Sequence, residues 1–364
     1  MGALRSSRKP IDLAAVRRVL AVKLSSFGDI VHVTPCLRAL RNAFPTADIQ
    51  VVLDRTWAPL LREDPHINGI IEADPMRHGF LSSWIDARRR IRARRGPAFD
   101  LAIDFQGLRR SAAWIYASRA RWQMGRGVRR PGWQFAVRPD LKQHAVRVCA
   151  QIAEHLGIVV PDLEPRLYTS AEADYTIEQA LRAAGAPPRD FVLANPFGTW
   201  RSKMWPVERW AALIGRIHDE LALPVVIAGG PGEEADAAQL ARCLSPPVPS
   251  LAGTTTLDQV LCLYRRAALA IGVDSGPMHA AAAVGTPVVA LFGPTWPERT
   301  GPWGARHQVI QLSRAPSPDA YRDNGSRCHM EAIDVGTVLG AVAALHDQVR
   351  PDATRASVAS IRGT

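Results

Sequence analysis

The segment from Ile271 to Thr295, IGVDSGPMHAAAAVGTPVVALFGPT, constrains the fold more than any other part of the chain. An apolar run ends at Val273, and Asp274, Ser275 and Gly276 make a tight polar turn. Pro277 then opens a helix, with Ser275 or Gly276 as its cap, because the first turn of a helix has no partner for the N–H that proline lacks. Met278 to Val284 is short and alanine-rich, Gly285 stops it, and Pro287 to Phe292 reads as a buried strand ending in a second turn, Gly293-Pro294-Thr295. Strand, loop, helix, strand and loop in that order put two loops at one carboxyl edge of a parallel sheet. One presents helix N–H groups and the other a glycine and a hydroxyl, which is how an α/β protein holds a phosphorylated ligand. An ordinary βαβ unit with a capped helix has the same spacing, so the segment fixes the fold class before it fixes a ligand.

The same alternation runs through the rest of the 364 residues. After a basic leader, Arg18 to Leu24 reads as a strand, Ser25 to Asp29 as a loop, and Pro35 to Phe44 as a helix capped by Thr34. Ile49 to Asp54, Ile67 to Glu72 and Leu101 to Asp104 are further strands, and helical patterns follow from Ala145 to Leu156 and from Ala171 to Ala184. Gly185 to Asp190, with Pro187 and Pro188, reads as a linker. The second half restarts with strand Phe191 to Asn195, helix Val207 to Leu221, strand Pro224 to Ala228, helices Glu233 to Leu244 and Thr256 to Ala267, and strand Ala270 to Val273. Both halves are therefore expected to be Rossmann-like, doubly wound parallel sheets, over residues 1–180 and 181–345, facing a central cleft and followed by a flexible tail over 346–364.

A formal charge of +11, carried mostly by arginine, points to an acidic partner: a nucleotide, a nucleic acid or an anionic membrane surface. No nucleic-acid-binding motif accompanies the charge, so a nucleic acid is not expected. The arginine-rich segment Met76 to Pro97, with Phe80, Leu81, Trp84, Ile85 and Ile91, reads as an amphipathic basic helix suited to an anionic interface, or as a solvated surface helix. The five cysteines form no CxxC pair, and no apolar stretch approaches the length of a membrane span; Val19 to Leu24 is already broken by Lys23. A reducing, cytoplasmic setting is expected. Met1-Gly2 with Ser6 fits the short myristoylation pattern.

Four constellations carry chemistry. Lys23-Leu24-Ser25-Ser26-Phe27-Gly28-Asp29 ends the first strand with a glycine and a carboxylate; Asp29 can accept a proton from a bound hydroxyl or merely cap a helical turn. Asn195 to Pro206, which includes Thr199, Arg201 and Lys203, supplies hydroxyls, backbone N–H groups and cations for a diphosphate without a Walker A pattern. Gly230, Gly232 and Ala235 fit GxGxxA, but Glu233 and Glu234 stand where a pyrophosphate would sit, so ribose hydroxyls suit that loop better than a dinucleotide. His279 lies one turn into the helix after Ser275, with its ring directed back toward that loop or packed. No D-x-D pair occurs, so diphosphate charge falls to Lys203, arginines and helix N-termini.

Taken together, KLSSFGDIVHVTPCLRAL, AIDFQGLRRSA, GTWRSKMWP, AGGPGEEADA and GVDSGPMHAAAAVGTPVVALFGPTWPERTGPWG resemble the bacterial lipopolysaccharide heptosyltransferases of glycosyltransferase family 9, over about Arg18 to Val309. The resemblance implies a GT-B fold, with the acceptor on the first domain and the nucleotide sugar on the second. It further implies an ADP-heptose donor, an acceptor on Kdo-lipid A or a core heptose, inversion at the anomeric carbon, no metal or other cofactor, and work at the cytoplasmic face of the inner membrane. Carried over, Asp29 matches the general base, while Ser25, Ser26 and Gly28 shape its loop. Thr199 and Lys203 match the donor phosphate contacts, Glu233 or Glu234 the adenosine-side acid, and Asp274, Ser275, Gly276 and His279 the donor loop. Asp104, Gln106 and Gly107 match the acceptor side, with Arg109 and Arg110 as a basic extension suited to acidic sugars or phosphates. Pro277, Trp296 and Asn195-Pro196-Phe197 depart from the family pattern. A family 9 transferase for another surface glycan, a GT-B sugar-nucleotide epimerase and a silent anionic-glycan binder are the alternatives.

Overall fold

The structure, a computed structural model, describes residues 11–76, 79–94, 96–127, 133, 135–317 and 326–361. The leader with its Met1-Gly2-Ser6 pattern, and Arg77, His78 and Arg95 of the basic segment, lie outside them. The chain divides into two compact units, Met1–Tyr168 and Thr169–Thr364.

In chain order the first unit contains β1 (Arg18–Val22), α1 (Phe27–Ala43), β2 (Asp48–Asp54), β3 (Gly69–Ala73), α2 (Phe80–Ala93), β4 (Leu101–Asp104), α3 (Arg109–Ser118), β5 (Trp122–Arg126), β6 (Phe135–Val137) and α4 (Ala145–Glu154). Its strands are all parallel in the order β3-β2-β1-β4-β5-β6. Residues of β1, β2 and β4 such as Val19, Leu20, Val51, Leu101 and Ile103 are fully buried, as strands covered on both faces require. The chain winds outward from β1 in one direction and from β4 in the other, so the loops after these neighbouring strands part and leave a crevice.

The second unit contains α5 (Ala171–Ala183), β7 (Val192–Asn195), α6 (Val207–Leu221), β8 (Val225–Ile227), α7 (Glu234–Arg242), α8 (Leu257–Arg266), β9 (Leu269–Val273), α9 (Gly276–Ala283), β10 (Val288–Leu291), α10 (Pro297–Thr300), β11 (His307–Ile310), α11 (Cys328–Glu331) and α12 (Val335–Ile361). Its parallel order is β11-β10-β9-β7-β8, which places the parting loops after β7 and β9. The β9–α9–β10 segment has the expected form: Ser275 is the N-cap, and Gly285, with φ +93°, follows the helix. Among the described residues no helix is long and apolar enough to cross a membrane.

Three expectations are corrected. Helix α1 begins at Phe27, eight residues ahead of Pro35, because Ser26 and Asp29 form a capping box at its start. Pro35 is tolerated inside it: Thr34 Oγ1 donates to the Val31 carbonyl at 2.9 Å, the acceptor that a residue 35 amide would have used. The division between units falls after Tyr168 rather than at residue 180, since α5 is tied to α8 by buried Arg266, whose guanidinium meets Asp174 at 2.7 Å and Glu178 at 2.9 Å. The segment expected to be a flexible tail from residue 346 is helical to Ile361 as part of α12.

Candidate active site

In the first unit, Lys23 is the residue directly after β1 and is buried, while Asp29 occupies the third position of α1. Lys23 Nζ lies 3.2 Å from Asp29 Oδ1, with the lysine side chain 3% exposed and the aspartate side chain 42% exposed. The other carboxylate oxygen accepts from the Ser26 amide at 3.4 Å. Burial pushes the Asp29 carboxyl up, but the Lys23 ammonium, the Ser26 amide and Arg126 at the end of β5 outweigh it and hold the group below the usual carboxylate range. Asp29 is thus a helix cap and an accessible, ionised carboxylate at once. Gly28 is half-buried in the same helical turn.

The loop after β4 completes this crevice. Gln106 Oε1 accepts from the Ser25 amide at 3.3 Å and so links the two parting loops. Gly107 has φ +81°, and a Cβ there would lie 3.2 Å from the Arg126 carbonyl, so only glycine closes the turn. Asp104 is fully buried and accepts from the amides of Gln106 and Gly107 and from Ser111 Oγ, at 2.9, 3.0 and 2.9 Å. Burial pushes its carboxyl up to about 6 against those bonds. Expected among the acceptor contacts, Asp104 instead holds the turn that carries Gln106. Arg110 is likewise engaged, paired with Asp54 at the end of β2, whereas Arg109 at the start of α3 is exposed.

In the second unit, Asp274 directly follows β9 and is buried. Its Oδ2 meets Lys203 Nζ at 2.7 Å and accepts from Thr295 Oγ1 at 2.6 Å. Three loops, after β7, β9 and β10, therefore converge on one carboxylate. Ser275 caps α9 and Gly276 opens it, so the first turn of that helix lies beside Lys203; Thr199 is exposed on the Lys203 loop. His279 is buried within α9. A Cβ on Gly198 would lie 3.3 Å from the Val273 side chain, so the loop passes close over the end of β9 there. After β8, Glu233 caps α7 with Oε2 accepting from the Gly230 amide at 2.7 Å, and burial pushes its carboxyl up. That amide is thereby withdrawn from any pyrophosphate, which argues against a dinucleotide in the GxGxxA loop. Exposed Glu234 is held down by backbone amides, its own and that of Gly232.

Lys23 and Arg126 complete these sites without a role assigned from sequence, and Thr295 entered only as the hydroxyl of a ligand-facing turn. Lys23 had a sign, a charge interrupting an apolar strand, which demands a buried counter-charge. Thr295 had a weaker one, the hydroxyl of the turn after Phe292. Arg126 had none, because the alternation of Trp122 and Met124 with Gln123 and Gly125 is too short to mark a strand whose end it would occupy.

Two parallel-sheet units in one chain, one with an accessible carboxylate and the other with a lysine and a helix N-terminus at the switch point, have the architecture of the GT-B class. The solved glycosyltransferase family 9 protein of Veillonella parvula DSM 2008 superposes with a TM-score of 0.83 at 24% identity, covering 93% of this chain and 99% of that one. Escherichia coli heptosyltransferase WaaC with ADP superposes at 0.70 and 24% identity, covering 90% and 99%. Lipopolysaccharide heptosyltransferase 1 of Pseudomonas aeruginosa is 30% identical over 316 residues, 80% of this chain and 82% of that protein. Residues 87–329 match glycosyltransferase family 9 (heptosyltransferase), and the chain belongs to that family.

Proposed function

We propose that this glycosyltransferase moves a heptose from ADP-heptose to the inner core of lipopolysaccharide, on Kdo-lipid A or a core heptose. The observation that carries the reading is the pairing in one chain of a proton-accepting crevice at Asp29 with a phosphate-binding crevice at Lys203. Asp29, ionised at neutral pH, takes the proton of the attacking acceptor hydroxyl. Lys203, Thr199 and the first turn of α9 meet the charge that develops on the departing ADP, and Glu233 bonds the ribose. Attack by the acceptor itself inverts the anomeric carbon. Those cations and backbone dipoles serve in place of a divalent metal. Ser25, Ser26, Gln106 and exposed Arg109 contact the acceptor, and the enzyme works at the cytoplasmic face of the inner membrane.

The test is product analysis. Purified protein is incubated with a panel of nucleotide sugars and truncated lipid A core acceptors, with and without EDTA, and the product is identified by mass spectrometry and its anomeric configuration by NMR. Acceptor-dependent release of ADP, an inverted heptoside and indifference to EDTA are expected. An altered donor formed without acceptor indicates an epimerase, acceptor binding without ADP release a binding protein, and EDTA loss restored by a divalent ion a metal-dependent transferase.

A further inference from the structure

Eleven large apolar side chains are exposed among the described residues, and five of them belong to one region. Met76 precedes α2, Phe80, Leu81 and Ile85 lie in its first turns, and Leu108 caps α3, the helix against which α2 packs. Leu81 is 65% exposed and Ile85 55%. This exposure does not reflect a poorly docked helix. Ser83 and Ala87 are buried, Trp84 and Ile91 pack on the core, and Phe80 meets the Tyr116 ring edge-on at 5.9 Å. The inward face of α2 is satisfied, and a second apolar face is left over.

Charge continues along that second face. Positions 81, 85, 88 and 92 fall on one helical stripe, so Leu81 and Ile85 lead directly into Arg88 and Arg92. Arg89 and Arg92 are exposed, and Arg88 lies over the Trp84 ring at 4.7 Å. Burial, together with the like charges of Arg92 and Arg119, pushes the Arg88 guanidinium down, so the cluster is crowded with positive charge. Asp86 is the acidic residue within this helix, and it is paired with Arg90.

We propose that the stripe Leu81, Ile85, Arg88 and Arg92, flanked by Met76, Phe80 and Leu108, is a docking surface for an anionic phospholipid bilayer. A bilayer interface takes exactly this division of labour: aliphatic side chains enter the boundary between headgroups and acyl chains while arginines reach lipid phosphates. A nucleic acid would use the arginines and leave the aliphatic residues in water. The location supports the assignment, because α2 and α3 begin after the carboxyl ends of β3 and β4, the same sheet edge at which α1 carries Asp29. The inference deepens the reading of a lipid-anchored acceptor by naming the surface that would meet the lipid.

The test uses the full chain with no sugar nucleotide present, so it reads the surface whether or not heptose transfer is right. Sedimentation is measured with phosphatidylglycerol-containing vesicles and with pure phosphatidylcholine vesicles, at low and high salt. The wild type is expected to partition onto the anionic vesicles, at least about tenfold more than onto the neutral ones, and to be released by salt. Leu81→Ser with Ile85→Ser, and separately Arg88→Gln with Arg92→Gln, are each expected to lower anionic binding about tenfold with an unchanged Tm. Equal binding to both vesicles, binding to neither, or wild-type partitioning by both double variants would overturn the proposal.

Discussion

Each unit closes a lysine against a carboxylate at the switch point of a parallel sheet, and the two units bury opposite partners. In the first, the lysine side chain is 3% exposed and the aspartate 42%; in the second, Lys203 is 15% exposed and Asp274 5%. The rule behind the inversion is positional. The residue directly after the central strand, Lys23 after β1 or Asp274 after β9, lies at the top of the packed sheet, and its partner arrives from a helix start or a loop and is left the more open. Changing which sign follows the strand therefore changes what the crevice offers: an ionised carboxylate in one unit, a braced ammonium in the other.

The largest expected effect separates the two pairs by chemistry. Asp29→Asn keeps the shape of the cap and an acceptor for Lys23 but cannot take a proton, so kcat should fall by about 10² to 10⁴ with little change in donor affinity. Steady-state kinetics with ADP-heptose checks it. A near-normal kcat would mean that Asp29 does no more than cap α1, a task asparagine performs nearly as well.

The next effect concerns stability. Removing the exposed member of a pair strands a buried charge, whereas removing the buried member leaves a charge that water can reach. Asp29→Ala, which leaves the Lys23 ammonium without this counter-charge, should cost about 3–5 kcal/mol. Lys23→Met should cost about 1 kcal/mol or less through the lost pair, because the Asp29 side chain, 42% exposed, keeps part of its hydration. In the second unit, where both members are more than four-fifths buried, the two single losses should differ less. Urea unfolding of the four variants measures all of this, and equal costs for Asp29→Ala and Lys23→Met would break the comparison.

How far these sites were legible in sequence follows from the same positional rule. The apolar runs of β1, β4, β7 and β9 and the turn residues after them are local features, so the parallel α/β architecture and the loops holding Asp29, Lys203 and Asp274 could be read directly. What the neighbours contribute could not. Asp104 and Gln106 sit two residues apart in one motif, yet the first is buried under the turn and the second reaches across to Ser25, a division set by the register of β1 against β4. Arg110 looked equivalent to Arg109 until β2 brought Asp54 beside it. The early start of α1 was hidden by Pro35, whose usual meaning as a helix boundary is cancelled by the Thr34 hydroxyl.

A third effect tests the second pair as a phosphate clamp. Lys203→Ala should weaken ADP binding by about 1.5–3 kcal/mol, the loss of one charge-assisted contact, whereas Lys23→Met should leave it at the wild-type value. Calorimetric titration with ADP distinguishes them. Comparable losses in both variants would mean that the two lysines do not serve separate ligands.

The smallest expected effect is a displacement of a pH profile, and it asks whether Lys23 does more than fill space beneath the base. A general base must be deprotonated, so activity is lost as pH falls through the pKa of Asp29. In the wild type that pKa lies below the usual carboxylate range: burial works to raise it, and Lys23, aided by the Ser26 amide and Arg126, prevails. Lys23→Met removes the chief opposing charge and leaves the burial, so the acid limb of kcat/KM should move to higher pH. Lys23→Arg keeps the charge and should leave the limb nearer the wild-type position, even if its larger head disturbs packing. A purely structural lysine would lower kcat/KM in both variants without moving the limb. Coincident acid limbs in wild type and Lys23→Met, with Asp29→Asn inactive, would leave Asp29 as the base and remove Lys23 from its control.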